Sequence, residues 1–203
     1  MNCTKVGSAM LAASLLSNAI AMDARAEQVT VAFQAEVTQV LDSQGFLAGR
    51  VNVGDIVDGQ YTYDTDTPDA SSDPMTGSFT HAAPHGMAMV INDLGFQSQP
   101  EYGYRMTTFD VSTPGKHDVL TLSSFKNTFD VAVPNATSSY MELRFEDADG
   151  TALATDAAPA SGPLLPGWPF TRIFLSSNRL GTSPAKFQIQ GRVTYVETLA
   201  PGP

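Results

Sequence analysis

The 203-residue sequence is poor in cysteine and in positive charge. It has one cysteine, Cys3, and 11 Lys or Arg against 21 Asp or Glu, which gives a formal net charge of −10. Nucleic-acid binding needs clustered cations to neutralise phosphates, so this balance disfavours a nucleic-acid partner. The chain is also 42% hydrophobic and only 16% charged, which is too apolar for disorder throughout. We therefore expect a folded protein without disulfides.

An apolar run at residues 9–16 is too short to cross a bilayer, for which about 20 apolar residues are needed. Lys5 precedes this run and two A-x-A sites follow it, at residues 19–21 and 24–26, a pattern typical of a secretory signal peptide. Cleavage at the second site, which we favour, removes Cys3 with two basic residues and one acidic residue, so the net charge changes from −10 to −11. The sequence thus predicts a secreted or periplasmic protein whose mature chain has no cysteine and no membrane span. An uncleaved anchor is the alternative.

The remaining sequence alternates between apolar and polar residues. Val29, Val31 and Phe33 share one side of the first segment, while Thr30 and Gln34 share the other, which predicts a half-buried strand. No stretch sustains the apolar i, i+3, i+4 pattern over the length of a helix. The predicted strands are residues 29–38, 57–63, 77–81, 87–91, 95–98, 104–111, 119–125, 140–145, 171–176 and 187–195. Short strands separated by turn residues favour an all-β fold, an antiparallel β-sandwich of jelly-roll-like or Ig-like type.

The first and last predicted strands have similar sequences, residues 33–38 (FQAEVT) and residues 189–194 (IQGRVT). From this similarity we expect the two strands to be adjacent, with Glu36 and Arg192 on the same polar face. The expected organisation is a signal peptide (1–26), a single β-sandwich domain (27–199) and a tail (200–203).

Three segments carry a resemblance to a known family: residues 33–38, residues 53–64 (VGDIVDGQYTYD) and residues 67–69 (TPD). Together they resemble a family of exported bacterial β-sandwich proteins of unassigned function, in which V-G-D-x-x-x-G-x-Y-T-Y-D follows an opening strand and Gly-x-Val-Thr closes the domain. Many members have a PEP-CTERM-type sorting signal, an apolar span followed by a basic tail, and residues 199–203 (LAPGP) do not show that pattern. The resemblance implies export and supplies no catalytic residues.

A group of carboxylates lies in a predicted loop at residues 64–76 and comprises Asp64, Asp66, Asp69 and Asp73. Ca²⁺ accepts oxygen ligands from flexible loops without strict geometry, so these four residues are the candidate metal ligands. We expect no cofactor unless this loop binds Ca²⁺. The spacing lacks the loop glycine and terminal Glu of an EF-hand. Because Asp and Pro also form hydrogen-bonded turns, a solvated turn is the competing interpretation.

A second predicted loop, residues 155–169, contains the only tryptophan, Trp168. An exposed Trp168, with the neighbouring Phe170, would form a platform on which a sugar ring could stack. The competing interpretation is a buried anchor that pins the loop to the sheet, because an aromatic side chain buries a large apolar area. Trp168 and Phe170 are therefore the candidate ligand-binding residues.

No catalytic motif is assembled in the sequence. His81 and His85 would bind Zn²⁺ together on a helix, with Asp93 or His117 as a third ligand, but Pro84 between them argues against a helix. The Gly-x-Ser-x-Gly pattern of a nucleophile elbow is also missing. We assign no catalytic residue.

These observations favour a non-catalytic exported binding or interaction module whose partner is a polysaccharide or another cell-surface component. One alternative is a secreted hydrolase on a β-sandwich scaffold, with carboxylates such as Glu36, Asp110 and Glu142 available for glycosidase chemistry. The other is a structural matrix protein that Ca²⁺ stabilises through the loop at residues 64–76.

Overall fold

A computed structural model describes residues 28–110, 117–133, 139–177 and 185–200. These residues form one antiparallel sheet of eleven strands that is curled into a half-barrel. The strands are β1 (Gln28–Leu41), β2 (Ile56–Asp64), β3 (Thr76–His81), β4 (Met87–Ile91), β5 (Leu94–Gln97), β6 (Tyr104–Phe109), β7 (Asp118–Phe125), β8 (Thr128–Phe129), β9 (Tyr140–Asp147), β10 (Phe170–Ser176) and β11 (Gln188–Leu199). The all-β prediction is confirmed, while the sandwich stays a prediction.

The order of strands in the sheet is β3-β6-β7-β9-β10-β11-β1-β2-β4-β5-β8. Every strand predicted from alternation is present, with bounds that shift by a few residues, and the two-residue β8 is additional. β1 pairs with β11, and Glu36 lies opposite Arg192. The predicted adjacency of the first and last strands is therefore confirmed.

The core lies on one side of the curled sheet and follows the predicted alternation. Val29, Val31 and Phe33 of β1 are buried, and Thr30 and Ala32 between them are more exposed. Gly59 of β2 lies opposite Phe33, and a Cβ atom at Gly59 would come within 2.1 Å of Phe33 Cζ. Glycine is required at this position because the phenyl ring occupies the space of a side chain.

The segment between β9 and β10, residues 148–169, which we name the clasp, packs against the core. A single 3-10 turn, Leu165–Gly167, is its one regular element. Hydrogen bonds connect the clasp to strands on both sides of β9 and β10 in the sheet order. The strand residues that make them are Tyr63 of β2, Thr108 of β6, Asp118 of β7 and Thr198 of β11.

Within the described ranges, no helix has the length and apolar character needed to cross a membrane. The predicted signal peptide, residues 1–26, lies outside the described residues, as does most of the predicted tail.

Candidate functional site

Asp64, the first predicted calcium ligand, ends β2, and the other three lie in the loop that joins β2 to β3. Asp64 Oδ1 accepts a hydrogen bond from the backbone N–H of Asp66 at 2.8 Å, and Asp73 Oδ1 accepts one from Met75 N–H at 3.0 Å. These are turns of the type that Asp favours. In the described part of the chain, which includes this loop, no three His, Cys, Asp or Glu side chains converge to hold a metal ion. The structure does not assemble Asp64, Asp66, Asp69 and Asp73 into a site, and Ca²⁺ binding stays a prediction.

Asp69 has a further structural role at the edge of the sheet. Its Oδ1 accepts hydrogen bonds from the N–H groups of Ser71 and of Ser78 in β3, both at 2.8 Å. The N–H of Ala70 donates to the carbonyl oxygen of Ser78 at 2.9 Å. Because β3 is the outermost strand at one end of the sheet, this loop occupies backbone groups that would otherwise be open to pairing with another chain.

Trp168 is 5% exposed, and its ring meets that of Phe145 edge-on, with 6.0 Å between centroids. This is the burial expected of a loop anchor. Phe170, the first residue of β10, is exposed. The structure therefore buries one of the two residues predicted to act together and exposes the other. Ligand binding by Trp168 and Phe170 stays a prediction.

His81 lies where the two ends of the sheet approach each other. Its ring centroid is 5.2 Å from that of Tyr104, 6.0 Å from that of Tyr63 and 5.9 Å from that of His85. Its Nδ1 atom is 3.2 Å from Thr67 Oγ1. Neither His81 Nε2 nor His85 Nδ1 has a hydrogen-bond partner among the described residues. His81 ends β3 and His85 lies in the connection to β4, so the two rings are not on the helix that a Zn²⁺ pair would need.

Burial, and next the charge of His85, lower the pKa of His81 from 6.5 to about 4, although Asp64 acts in the opposite direction. An imidazole with this pKa is uncharged at neutral pH. General acids and bases work best with a pKa near the working pH. His81 is therefore suited to packing among the aromatic rings, and not to proton transfer at neutral pH.

Glu142, one of the carboxylates available to a hydrolase, is buried and engaged by two neighbours on the sheet. The hydroxyl of Tyr140 donates to Glu142 Oε2 at 2.5 Å, and Arg172 forms an ion pair with Oε1. Burial and the hydrogen bond to Glu142 raise the pKa of Tyr140. Arg144 and Glu146 form a second ion pair on β9. These contacts indicate a structural role for the Glu142 carboxylate within the sheet.

A groove that the sequence analysis did not identify lies on β6, β7 and the turns beside them, with a cavity volume of about 380 Å³. We name it the basic groove. Arg105 and Lys126 supply its two cations, and Tyr102 and Phe125 supply its two exposed rings. Ser123 adds a hydroxyl group, and no carboxylate is among the described residues that line it.

Strand pairing places Arg105 of β6 directly opposite Ser123 of β7, so both side chains share the face that is turned away from the core. Lys126 follows β7 with a φ of 58°, and its Nζ atom lies 4.1 Å from the centroid of the Tyr102 ring. A cation over a ring face is attractive. Ser124 Oγ fixes the backbone beneath by donating to Gly103 O at 2.7 Å. The lining is thus held in place by the strands and turns around it.

Three of the seven described Lys and Arg residues form an ion pair within the described part of the chain, and the two cations of the basic groove are among the four that do not. Arg50, Arg144 and Arg172 each form an ion pair with a carboxylate, whereas Arg105 and Lys126 form none among the described residues. The sequence signal for this site is the presence of cations in a strongly acidic chain. The sequence does not show that Arg105 and Lys126 are neighbours, because only the pairing of β6 with β7 brings them together.

Comparisons with models of protein families, with curated proteins and with solved structures give no match to this chain. A functional inference therefore depends on the geometry and chemistry of its sites.

Proposed function

We propose that this protein is an exported, non-catalytic binding module and that the basic groove binds an acidic polysaccharide. The observation that carries the proposal is the combination of two exposed rings and two cations, without a carboxylate, in one groove of a chain whose net charge is −10.

The lining matches the two recognisable features of an acidic sugar. The apolar face of a pyranose ring packs on an aromatic side chain, which Tyr102 and Phe125 offer at the surface. The carboxylate or sulfate of such a sugar pairs with a guanidinium or an ammonium group, which Arg105 and Lys126 supply. An open groove also admits a polymer, whereas a closed cavity admits only a chain end.

The charge of the whole chain adds selectivity. A strongly acidic surface repels polyanions that approach elsewhere, so attraction is confined to the groove. Such attraction between exposed charges weakens as salt is added. The proposed binding should therefore be local and sensitive to salt.

Export is supported by the predicted signal peptide and by the resemblance to exported bacterial proteins, and it places the protein in the periplasm or outside the cell. As its scaffold we propose a β-sandwich in which the two halves of the curled sheet are the layers. The hydroxyl of Tyr104 on β6, which donates to the carbonyl oxygen of Thr62 on β2 at 2.7 Å, supports this packing because these strands are far apart in the sheet order.

The test compares the binding of polygalacturonate with that of neutral dextran, by isothermal titration calorimetry at two salt concentrations. Wild type should bind the polyuronate, and should do so more weakly at higher salt. Arg105→Gln should weaken binding about tenfold, because a hydrogen bond to a charged group contributes about 1.5–3 kcal/mol. Tyr102→Ala should weaken it as well.

The matched controls are Arg192→Gln and Tyr195→Ala. Arg192 is an exposed cation on β11, and Tyr195 is 47% exposed against 46% for Tyr102. Both control variants should bind as wild type does. Equal affinity for dextran and polygalacturonate, or equal losses in the groove and control variants, would contradict the proposal.

A further inference from the structure

A second cavity, of about 450 Å³, lies between the clasp and the core and differs from the basic groove in chemistry. Leu120 of β7 and Trp168, both buried in the core, reach its lining. Leu153, Pro159 and Leu164 of the clasp complete its apolar part. No charged side chain is among the described residues that line this cavity.

Hydrogen bonds from the strands hold three lining residues of the clasp in place. The carbonyl oxygen of Pro159 accepts a bond of 2.7 Å, and the N–H groups of Leu153 and Gly162 each donate one of 2.8 Å. Their strand partners are Tyr63, Asp118 and Thr198. A lining that is already ordered avoids the free-energy cost of immobilising it when a ligand binds.

We propose that this cavity is a binding site for a small, uncharged and largely apolar molecule. Its volume lies within the range of about 300–1,000 Å³ typical of ligand pockets. A charged ligand is disfavoured because a buried charge needs a partner that this lining does not supply. The hydroxyls of Thr151 and Ser161 provide a few polar contacts beside the apolar surface.

Leu164 extends the apolar surface of the cavity to its opening. This side chain is 77% exposed, although it lines the cavity. A ligand that covers Leu164 removes apolar area from water, which is favourable. The site is distinct from the basic groove, with which it shares no lining residue.

The test uses the fact that Trp168 is the only tryptophan of the chain. Its fluorescence therefore reports directly on the cavity. We expect a saturable change of fluorescence and a rise of Tm with 1-adamantanol. 1-Adamantanecarboxylate has the same cage and carries a charge, so its affinity should be at least about tenfold lower.

Leu164→Ala is the diagnostic variant because the residue is exposed and its truncation leaves the core intact. It should weaken binding of 1-adamantanol about threefold or more through the loss of apolar contact area. Val53→Ala, at an apolar residue that is 66% exposed outside the cavity, is the matched control and should bind as wild type does. Arg105→Gln should also leave this binding unchanged, which separates the inference from the function proposed for the basic groove.

The inference is overturned if neither fluorescence nor Tm responds to 1-adamantanol up to its solubility limit. It is equally overturned if the carboxylate binds as tightly as the alcohol, or if Leu164→Ala binds with wild-type affinity.

Discussion

Lowering the pH from 7 to 5 should destabilise the folded protein through His81. Burial, and next the charge of His85, lower the pKa of this imidazole from 6.5 to about 4 in the folded state. In the unfolded chain the same imidazole takes up its proton near pH 6.5. Between these two values the unfolded state binds more protons than the folded state, so stability falls as the pH falls through this window. Below about pH 4 the group is protonated in both states and adds no further loss.

The expected size follows from the two pKa values. A shift from 6.5 to about 4 corresponds to about 3 kcal/mol once both states are protonated. At pH 5 the linkage gives a loss of about 2 kcal/mol relative to pH 7. This is a large part of a typical domain stability of about 5–15 kcal/mol. The 1% exposure of His81 supports using the full shift, because little solvent screens the ring.

The measurement is urea unfolding of wild type, His81→Phe and His117→Gln at pH 7, 6 and 5, with a chelator present. His81→Phe keeps a ring among Tyr63 and Tyr104 but removes the titration, so its stability should depend much less on pH. His117 is exposed, so His117→Gln should show the wild-type dependence. The reasoning is refuted if wild type and His81→Phe lose the same free energy of unfolding between pH 7 and 5.

The titration of Asp147 lies outside the pH range in which His81 changes the stability. Hydrogen bonds from Thr151 and Asp149 hold its pKa below the ordinary value of 3.8. The stability that Asp147 contributes is present above that value and is lost as the pH falls through the folded-state pKa. Its effect thus lies below the pH range of the His81 measurement.

Three other outcomes are expected. Gly59→Ala should lower the free energy of unfolding by about 1–3 kcal/mol, because the new Cβ meets the Phe33 ring. Urea unfolding measures this loss. The control Gly167→Ala has no atom within 4 Å of the new Cβ and should leave the free energy of unfolding nearly unchanged. Asp69→Ala should cost about 1–2 kcal/mol through two lost hydrogen bonds, whereas Asp69→Asn keeps an acceptor oxygen and should cost less; equal losses would contradict this explanation. If the carboxylates at residues 64–76 serve only the turn hydrogen bonds that they make, millimolar Ca²⁺ should leave the Tm unchanged, whereas a rise that EDTA reverses would establish the calcium site.

The strands were predictable because their signal is local. Alternation along β1 places Val31 and Phe33 on one side whatever the rest of the chain does. The pairing of β1 with β11 was predicted from the similarity of their two segments, whereas the register that places Glu36 opposite Arg192 is known from the structure. β8 was missed because two residues, Thr128 and Phe129, are too few to show a period.

The candidate sites were less predictable, since each joins residues that are distant in the sequence. Arg105 and Lys126 meet in the basic groove only because β6 pairs with β7 and the turn after β7 returns toward Tyr102. Trp168 carried a recognisable signal as the lone tryptophan in a long loop, but its sequence context does not distinguish a buried anchor from an exposed platform. Its contact with Phe145 makes it an anchor.

The sequence by itself determined that this protein is a sheet with an apolar and a polar side, because side chains two apart in a strand share a face. It also determined that the first and last strands of the chain are adjacent. Only the tertiary structure decided that His81 is buried among tyrosines, that Asp69 holds the edge strand, and that the clasp and the basic groove border two separate cavities. These features depend on the curl of the sheet, which brings together strands that no local pattern relates.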